Sequence, residues 1–298
     1  MLNMEIRTNS LRAWVLAARP KTLSGAAIPV MTGCGLAAVY GHFRLVPAVL
    51  CFVFAFLMQI DANFINDLFD FLRGADREDR LGPERATAQG WVTVKGMKWA
   101  IGVTTALAAV VGLCLVGYGG WEMVPVGVAC LVFAFLYTVG PYPLSYHGWG
   151  DVLVLVFFGF VPVGCTFYVM AHEWNSSVTF ASLASGLIID TMLMINNFRD
   201  REQDRVSGKR TLVVRFGAKA GLCFYYLAGM LACWCCFWFL TAGKLWAVVL
   251  PQLYLIPHIM TTLKMARIGR GRELNVILGE TSRNMLLFGI LLTAGLLL

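Results

Sequence analysis

Charged residues are scarce in this sequence, at 14% of its 298 residues, while hydrophobic residues make up 58%. The mean hydropathy is +0.70. A soluble domain cannot bury so much apolar surface, so this composition excludes that class and indicates a polytopic membrane protein. The nine cysteines lie within apolar stretches without paired metal-ligand spacing, and the four histidines are scattered. We therefore expect the cysteines to be packing residues and the histidines to be interfacial, with neither type forming a metal site.

Nine apolar stretches are long enough to cross a hydrocarbon core, which takes roughly 20 helical residues for about 30 Å. They lie near residues 22–41, 45–66, 97–117, 122–140, 150–171, 178–198, 218–241, 245–263 and 278–298. We expect an all-α, polytopic transmembrane bundle of about nine helices, with eight as the alternative. It would form a single domain over residues 1–298. Because four basic residues precede the first long apolar run, we expect no cleavable signal peptide.

The basic residues are distributed unevenly between the two ends of the expected helices. Nearly all of the 24 Lys and Arg residues fall in the N-terminal segment and in alternate loops, with Arg44 and Lys244 on the opposite side. By the positive-inside rule, we expect the N-terminus and the C-terminal ends of the even-numbered helices to face the cytoplasm, with the protein located in the cell inner membrane. The net charge of +7 thus reflects topology and attraction for anionic lipid or substrate, and no motif supports nucleic-acid binding.

Two polar clusters close the second and sixth expected helices. The first is Asn63-Phe-Ile-Asn66-Asp67-Leu-Phe-Asp70, and the second begins at Asn196-Asn197 and continues through Asp200 to Asp204. Intervals of three and four residues place these side chains on one helix face. Carboxylates at membrane depth cost about 2.5–3.5 kcal/mol each, so they persist only where they are paired, wet or beside a cation. The similarity of the clusters suggests two related halves, about 20–145 and 146–298.

Mg²⁺ is the cation that fits crowded carboxylates best, because it is hard and is commonly held by one or two carboxylates together with substrate phosphates. We expect two ions, clamping a diphosphate between the clusters. The candidate catalytic residues are Asp67, Asp70, Asp200 and Asp204, and the candidate metal ligands are these four and Asp76, with Asp79 as an alternative to Asp76. Helix ends whose acids pair with neighbouring arginines are the other interpretation, which is disfavoured because helix C-termini prefer cations.

Further polar residues are candidates for binding the substrate. Cations in the loops after each cluster could neutralise phosphate oxygens, although they also serve as topology signals. Asp190 lies ten residues before Asp200, roughly 15 Å deeper along a helix, where it could bind a ring hydroxyl or act as a structural acid. The candidate substrate-binding residues are Asn63, Asn66, Asn197, Arg80, Arg85, Lys209, Arg210, Tyr137 and Asp190.

Both clusters resemble known signature motifs. Asn66-Asp67-x-x-Asp70-x-x-x-Gly74-x-Asp76 and Asn197-x-x-Asp200-x-x-x-Asp204-x-x-x-Gly208-Lys209 are similar to the two motifs of UbiA-type intramembrane prenyltransferases. Within that family, the chain resembles the branch that acts on 1,4-dihydroxy-2-naphthoate in menaquinone biosynthesis. Relatives that prenylate 4-hydroxybenzoate or haem carry a basic pair shortly after the residue corresponding to Tyr137, and this sequence has none there.

The resemblance implies a UbiA-like fold and a specific reaction. The enzyme would transfer a polyprenyl group from polyprenyl diphosphate to 1,4-dihydroxy-2-naphthoate, with Mg²⁺ and with decarboxylation, to give demethylmenaquinol. Aromatic rings such as that of Tyr137 could stabilise an allylic cation, and the lipid bilayer would deliver the apolar donor. Another aromatic acceptor remains an alternative. So does an intramembrane cation transporter, although acids gathered at one face beside Arg and Lys disfavour it. The oligomeric state is left open.

Overall fold

A computed structural model describes residues 6–74 and 80–298 of the chain, and within these ranges the fold is helical without β-strands. Nine helices lie in the described ranges: α1 Leu11–Val39, α2 Leu45–Leu72, α3 Val94–Gly119, α4 Met123–Thr138, α5 Gly150–Ala171, α6 Ser176–Val206, α7 Leu212–Leu240, α8 Leu245–Ile268 and α9 Leu274–Leu297. Eight are long and apolar enough to cross a membrane, and α4 is a shorter apolar helix. The expected all-α bundle of about nine helices is confirmed.

Helix α1 is broken near its start. A short helix, Leu11–Ala18, is capped by the Ser10 side chain, and after the single turn Pro20–Thr22 a longer helix runs over Leu23–Val39. Arg19 takes the left-handed conformation, with φ 52°. A residue that precedes proline is disfavoured in the α region, which explains why the helix ends at this point. The span predicted near 22–41 corresponds to the second part alone.

Helices α2 and α6 continue beyond their predicted ends at residues 66 and 198. They contain 28 and 31 residues, or roughly 42 and 46 Å at 1.5 Å per residue, which is longer than the hydrocarbon core. Both polar clusters therefore lie on regular helix, as the intervals of three and four predicted. The acidic ends are placed where they can extend past the apolar layer.

Helices α5 and α6 approach each other closely at two glycines. The middle of α5, Leu155–Gly164, is π-helical. A Cβ on Gly159 would lie 2.5 Å from the Ser182 carbonyl oxygen and 3.0 Å from Gly186 Cα, so no larger side chain fits. Small residues that allow backbones to touch are a common means of association between membrane helices. This contact fixes α6, which carries the second polar cluster, against α5.

Each polar cluster rests on an apolar base. Ile65 and Leu68 of α2 are buried, at 0% and 1% exposure, in one apolar group that also contains Ala86 from the segment after α2. Ile195 and Phe198 of α6 are equally buried in a second group. One face of each helix end is therefore held by packing, and the opposite face presents the acids.

Candidate active site

The segment that follows α2 brings the two clusters to the same face of the bundle. Leu81 N donates to Gln203 Oε1 near the end of α6, at 3.4 Å. Asn275 Nδ2, at the start of α9, donates to the Leu81 carbonyl oxygen at 2.8 Å. Contacts between this segment, α6 and α9 thus connect the first half of the chain with the second.

Asp70 forms an ion pair with Arg85 from the same segment. Arg85 Nη2 lies 3.0 Å from Asp70 Oδ2, and both residues are 7% exposed. Buried charges are tolerated when they are paired in good geometry, and removing one partner is costly. Two predicted site residues, one from the acidic cluster and one from the basic loop, are therefore in direct contact.

Asp67, three residues earlier, contacts backbone rather than cationic side chains at short range. Its Oδ2 accepts a hydrogen bond from Ala86 N at 2.9 Å, and its Oδ1 accepts one from Thr87 N at 2.8 Å. Arg19 Nη2 lies 3.8 Å from Oδ2. The expectation that Asp67 ligates a metal stays a prediction, and both of its oxygens already have backbone donors.

The second cluster has its own cationic neighbours. Arg199 donates through Nε and Nη2 to the two oxygens of Asp200, both at 2.6 Å, and its Nη1 donates to Asn275 Oδ1 at 2.9 Å. Asp204 lies 3.8 Å from Lys209 Nζ. Each of these acids is thus placed beside a positive group, which offsets the repulsion between carboxylates.

Tyr137 lies within electrostatic range of acids from three helices. Its phenol has electrostatic interactions with Asp151 of α5, Asp70 of α2, and Asp190 and Asp204 of α6. Asp190 is 2% exposed, and its Oδ1 has no hydrogen-bond partner among the described residues. Buried polar atoms without a partner are rare in folded proteins.

The three predicted asparagines occupy different positions. Asn63 Nδ2 donates to the Ala18 carbonyl oxygen and to Thr22 Oγ1, both at 3.0 Å, and so ties the break in α1 to α2. Asn66 Oδ1 accepts a hydrogen bond from Thr138 Oγ1 at the end of α4. Asn197 lines a small polar pocket that Tyr137 and Asp151 also line.

The remaining predicted cations lie around the acids at varying depth. Arg80 interacts electrostatically with Asp204, and its Nε donates to the Pro83 carbonyl oxygen at 3.2 Å. Arg210 is exposed, and its backbone amide donates to the Tyr146 carbonyl oxygen at 2.8 Å. The predicted metal ligand Asp76 and its alternative Asp79 lie outside the described residues.

Sequence reasoning did not propose Arg19, Tyr146 or Asn275 as site residues, although Arg19 lies in the Arg19-Pro20-Lys21-Thr22-Leu23 segment that also carries the family resemblance. Two cations lie over the ring of Tyr146, with Arg73 Cζ at 5.7 Å and Lys209 Nζ at 4.9 Å from its centroid. The Arg-Pro dipeptide could have identified Arg19 as a helix break. No local signal distinguishes Tyr146 or Asn275, because their contacts join segments that are far apart in sequence.

A cavity of about 560 Å³ runs beneath the site. Its polar end is lined by Arg19, Lys21, Asn63, Asn66, Asn196 and Tyr137. The rest is apolar, with Phe54, Phe133, Phe157 and Phe158 among its lining residues. Pockets of this size and lining bind ligands that are largely apolar and are oriented by a few polar groups. The cavity therefore suits an amphipathic molecule whose polar head lies at the end lined by basic and amide side chains.

The donor set fits Mg²⁺ only if a ligand completes the coordination. Among the described residues, no group of three or more His, Cys, Asp and Glu side chains is close enough to hold a metal ion. The acids are instead divided between α2 and α6, and all donors are oxygens. Mg²⁺ typically takes one or two protein carboxylates and fills its other positions with phosphate oxygens and water. The site is consistent with that mode of binding.

The helices and the comparisons with known proteins together identify an integral, multi-pass membrane protein. Residues 26–273 match the UbiA prenyltransferase family, and the chain belongs to that family. It is 34% identical to the 1,4-dihydroxy-2-naphthoate octaprenyltransferase of Haemophilus influenzae, with 100% of both chains covered. It is 36% identical to the Escherichia coli enzyme of the same name, with 81% of each covered.

A solved structure agrees with this assignment. A UbiA homologue from Archaeoglobus fulgidus, bound to GPP and Mg²⁺, has a TM-score of 0.68 at 17% identity and covers 95% of this chain and 99% of that chain. The similarity at this identity concerns the fold. The predicted family resemblance and the prenyltransferase class are both confirmed.

Proposed function

We propose that this protein transfers a polyprenyl group from polyprenyl diphosphate to 1,4-dihydroxy-2-naphthoate, with Mg²⁺ and with loss of the carboxylate as CO₂. The product would be demethylmenaquinol, in menaquinone biosynthesis. The observation that carries this proposal is the cavity of about 560 Å³, which joins an apolar interior to a polar end lined by Arg19, Lys21 and Asn66. The acceptor is supported by the two bacterial relatives, whose names specify this naphthoate.

The donor would bind with its tail in the cavity and its diphosphate between the ends of α2 and α6. A polyprenyl tail is as apolar as lipid, so it would come from the bilayer without crossing water. Arg19 and Lys21 line the polar end of the cavity and provide positive charge close to the diphosphate. The archaeal homologue with GPP and Mg²⁺ supports this class of donor.

We propose that two Mg²⁺ ions are held by Asp70 on one side and by Asp200 and Asp204 on the other, with Asp76 as a further predicted ligand. Asn66 and Asn197 have amide oxygens on the same helix faces. Bound there, Mg²⁺ would neutralise charge that develops on the leaving diphosphate. These acids lie on helices that apolar packing holds in place, which limits reorganisation during the reaction.

The protein's own cations would complete the recognition of the diphosphate. Arg85 is already fixed beside Asp70, at 3.0 Å, and Lys209 is beside Asp204, at 3.8 Å. We assign the phosphate oxygens to Arg80, Arg85, Lys209 and Arg210, because charge-assisted hydrogen bonds to phosphate are stronger than neutral ones. The basic residues would then hold the diphosphate after its bond to the prenyl group breaks.

In the chemical step, the bond between the prenyl carbon and the diphosphate oxygen breaks, and its electron pair leaves with the diphosphate. The ring carbon of the acceptor that bears the carboxylate forms a new carbon–carbon bond to the prenyl group. The carboxylate then leaves as CO₂ and returns its electron pair to the ring. Aromatic lining residues such as Tyr137 and Phe157 can stabilise the developing allylic cation through their faces. Asp190, with an oxygen lacking a described partner, would accept a hydrogen bond from a ring hydroxyl.

We also infer that the site and the N-terminus face the cytoplasm, across the cell inner membrane. The support is the concentration of Lys and Arg in the loops at that end, as the positive-inside rule requires. A water-soluble diphosphate product would be released on that side.

The test is an assay of the purified protein in lipid nanodiscs with Mg²⁺, a polyprenyl diphosphate and one of three acceptors: 1,4-dihydroxy-2-naphthoate, 4-hydroxybenzoate or homogentisate. We expect prenylated product and CO₂ in equal amounts with the naphthoate alone. Preferential transfer to either of the other acceptors, or no transfer to the naphthoate, would contradict the proposed substrate.

A further inference from the structure

The carboxylate of Asp67 is hydrogen-bonded to the protein backbone through both of its oxygens. It is 1% exposed, and each of its oxygens accepts a hydrogen bond from a backbone amide, Ala86 N at 2.9 Å and Thr87 N at 2.8 Å. The two amides are consecutive, so one side chain fixes the direction of the chain at this point. Hydrogen bonds to an ionised acceptor are shorter and stronger than neutral ones.

The charge of Asp67 is also compensated within the protein. Arg19 Nη2 lies 3.8 Å from Oδ2, and Arg19 lies at the left-handed break in α1. A buried carboxylate requires hydrogen-bond donors and a counter-charge, and this one has both. Its environment is therefore that of a structural anion.

The backbone that Asp67 holds carries a residue of the site. Arg85 directly precedes Ala86, and its Nη2 lies 3.0 Å from Asp70 Oδ2. Ala86 is 2% exposed and packs in the apolar group that contains Ile65 and Leu68 of α2. Fixing Ala86 against α2 fixes the position from which the Arg85 side chain extends.

We propose that Asp67 is a positioning residue that anchors the segment of residues 80–92 to α2, holds Arg85 beside Asp70, and does not ligate the metal. The role of Asp70 as a ligand rests on the proposed function. The anchoring itself does not, because it is a property of the protein without substrate.

Limited digestion with trypsin tests the anchoring directly on the full-length protein in nanodiscs. The peptide bond after Arg85 joins it to Ala86, whose amide Asp67 holds, and Arg85 is 7% exposed. In Asp67→Asn, one backbone amide faces the NH₂ group of the new side chain, which cannot accept its hydrogen bond. The negative charge of the carboxylate is also lost. We expect cleavage after Arg85 to be about tenfold faster, relative to cleavage after the exposed Arg210 in the same sample.

Asp61→Asn is the matched control. Asp61 lies on the same helix and is 0% exposed, but its oxygens accept from Thr104 Oγ1 at 2.5 Å and from Thr105 Oγ1 at 2.8 Å. The same chemical change there leaves the anchor intact, so the ratio of the two cleavage rates should equal that of the unmodified protein.

Titration of prenyl transfer with Mg²⁺ separates an anchor from a ligand. We expect Asp67→Asn to transfer more slowly but to reach half its maximal rate at the same Mg²⁺ concentration as the unmodified protein, within about twofold. Asp70→Asn should require about tenfold more Mg²⁺, because it removes a ligand charge. The proposal is overturned if the Asp67→Asn variant is cleaved after Arg85 no faster than the unmodified protein. It is also overturned if cleavage after Arg210 accelerates as much as cleavage after Arg85, or if the variant needs as much Mg²⁺ as Asp70→Asn. If no variant transfers prenyl groups, the proposed function fails, while the digestion still decides the anchoring.

Discussion

Arg85 Nη2 and Asp70 Oδ2 lie 3.0 Å apart in a buried ion pair between residues separated by 15 positions. The pair connects the basic segment after α2 with the acidic end of α2. Removing one partner of a buried pair leaves an uncompensated charge, at a cost of about 3–5 kcal/mol. The two residues should therefore act as a unit, both in stability and in transfer.

Arg85→Ala should reduce the rate of prenyl transfer by about a hundredfold, because it removes a fixed cation from the site of developing negative charge. Arg85→Lys should restore part of the rate, since it returns the charge without the planar guanidinium. Initial rates with 1,4-dihydroxy-2-naphthoate provide the measurement. Arg44→Ala, at the opposite end of the bundle, is the control and should transfer normally. An Arg85→Ala rate close to that of the control would argue against this role.

Asp200→Ala should abolish transfer while leaving the protein inserted in the membrane. The change removes a proposed metal ligand and leaves Arg199, which is 3% exposed, without the carboxylate it contacts at 2.6 Å. Product formation and membrane-fraction yield are the two measurements. Glu202→Ala, two residues along the same helix and exposed, should retain activity. Normal turnover by the Asp200→Ala variant would contradict the assignment of Asp200 to the active site.

Gly159→Ala should lower the stability of the bundle. Its Cβ would lie 2.5 Å from the Ser182 carbonyl oxygen, and overpacking of this kind costs about 1–3 kcal/mol. Gly117→Ala, where no atom lies within 4 Å of the added Cβ, should be neutral or slightly stabilising. Thermal unfolding in detergent compares the two. Equal melting temperatures for the two variants would mean that α5 and α6 can separate enough to accommodate the added methyl group with little loss of stability.

Asn275→Ala should slow transfer by about tenfold without unfolding the protein, because the change removes two hydrogen bonds that orient site groups. Asn275 joins the Leu81 carbonyl oxygen to Arg199 Nη1, at 2.8 and 2.9 Å. The neighbouring exposed residue provides the control variant Glu273→Ala. If both variants transfer at the same rate, the link between the halves does not orient Asp200.

Much of the fold follows from local patterns. The fifth span was predicted at 150–171, and helix α5 runs from Gly150 to Ala171. Hydropathy underestimated the lengths of α2 and α6, because both helices continue into polar sequence after the apolar run ends. The intervals within the clusters indicated helix there, and periodicity was the better guide to where these two helices end.

The site was predictable in its acids but not in their partners. Spacing predicted Asp67, Asp70, Asp200 and Asp204, because carboxylates crowded on an apolar helix need a partner, water or a cation, and their role as metal ligands stays a prediction. The backbone donors to Asp67 come from residues 19 and 20 positions away, and Asn275 lies 76 positions from Arg199. Such contacts depend on how loops pack across the bundle, which local sequence does not specify. The relation between the two halves of the chain stays a prediction.

The most direct test of the central claim is an experimental structure of the protein with Mg²⁺ and a slowly reacting prenyl thiodiphosphate. We expect one diphosphate contacted from both helix ends, with Mg²⁺ about 2.0–2.1 Å from an oxygen of Asp70 and, on the other side, from an oxygen of Asp200 or Asp204. A diphosphate held by one helix end alone, or bound at the other end of the bundle, would contradict it.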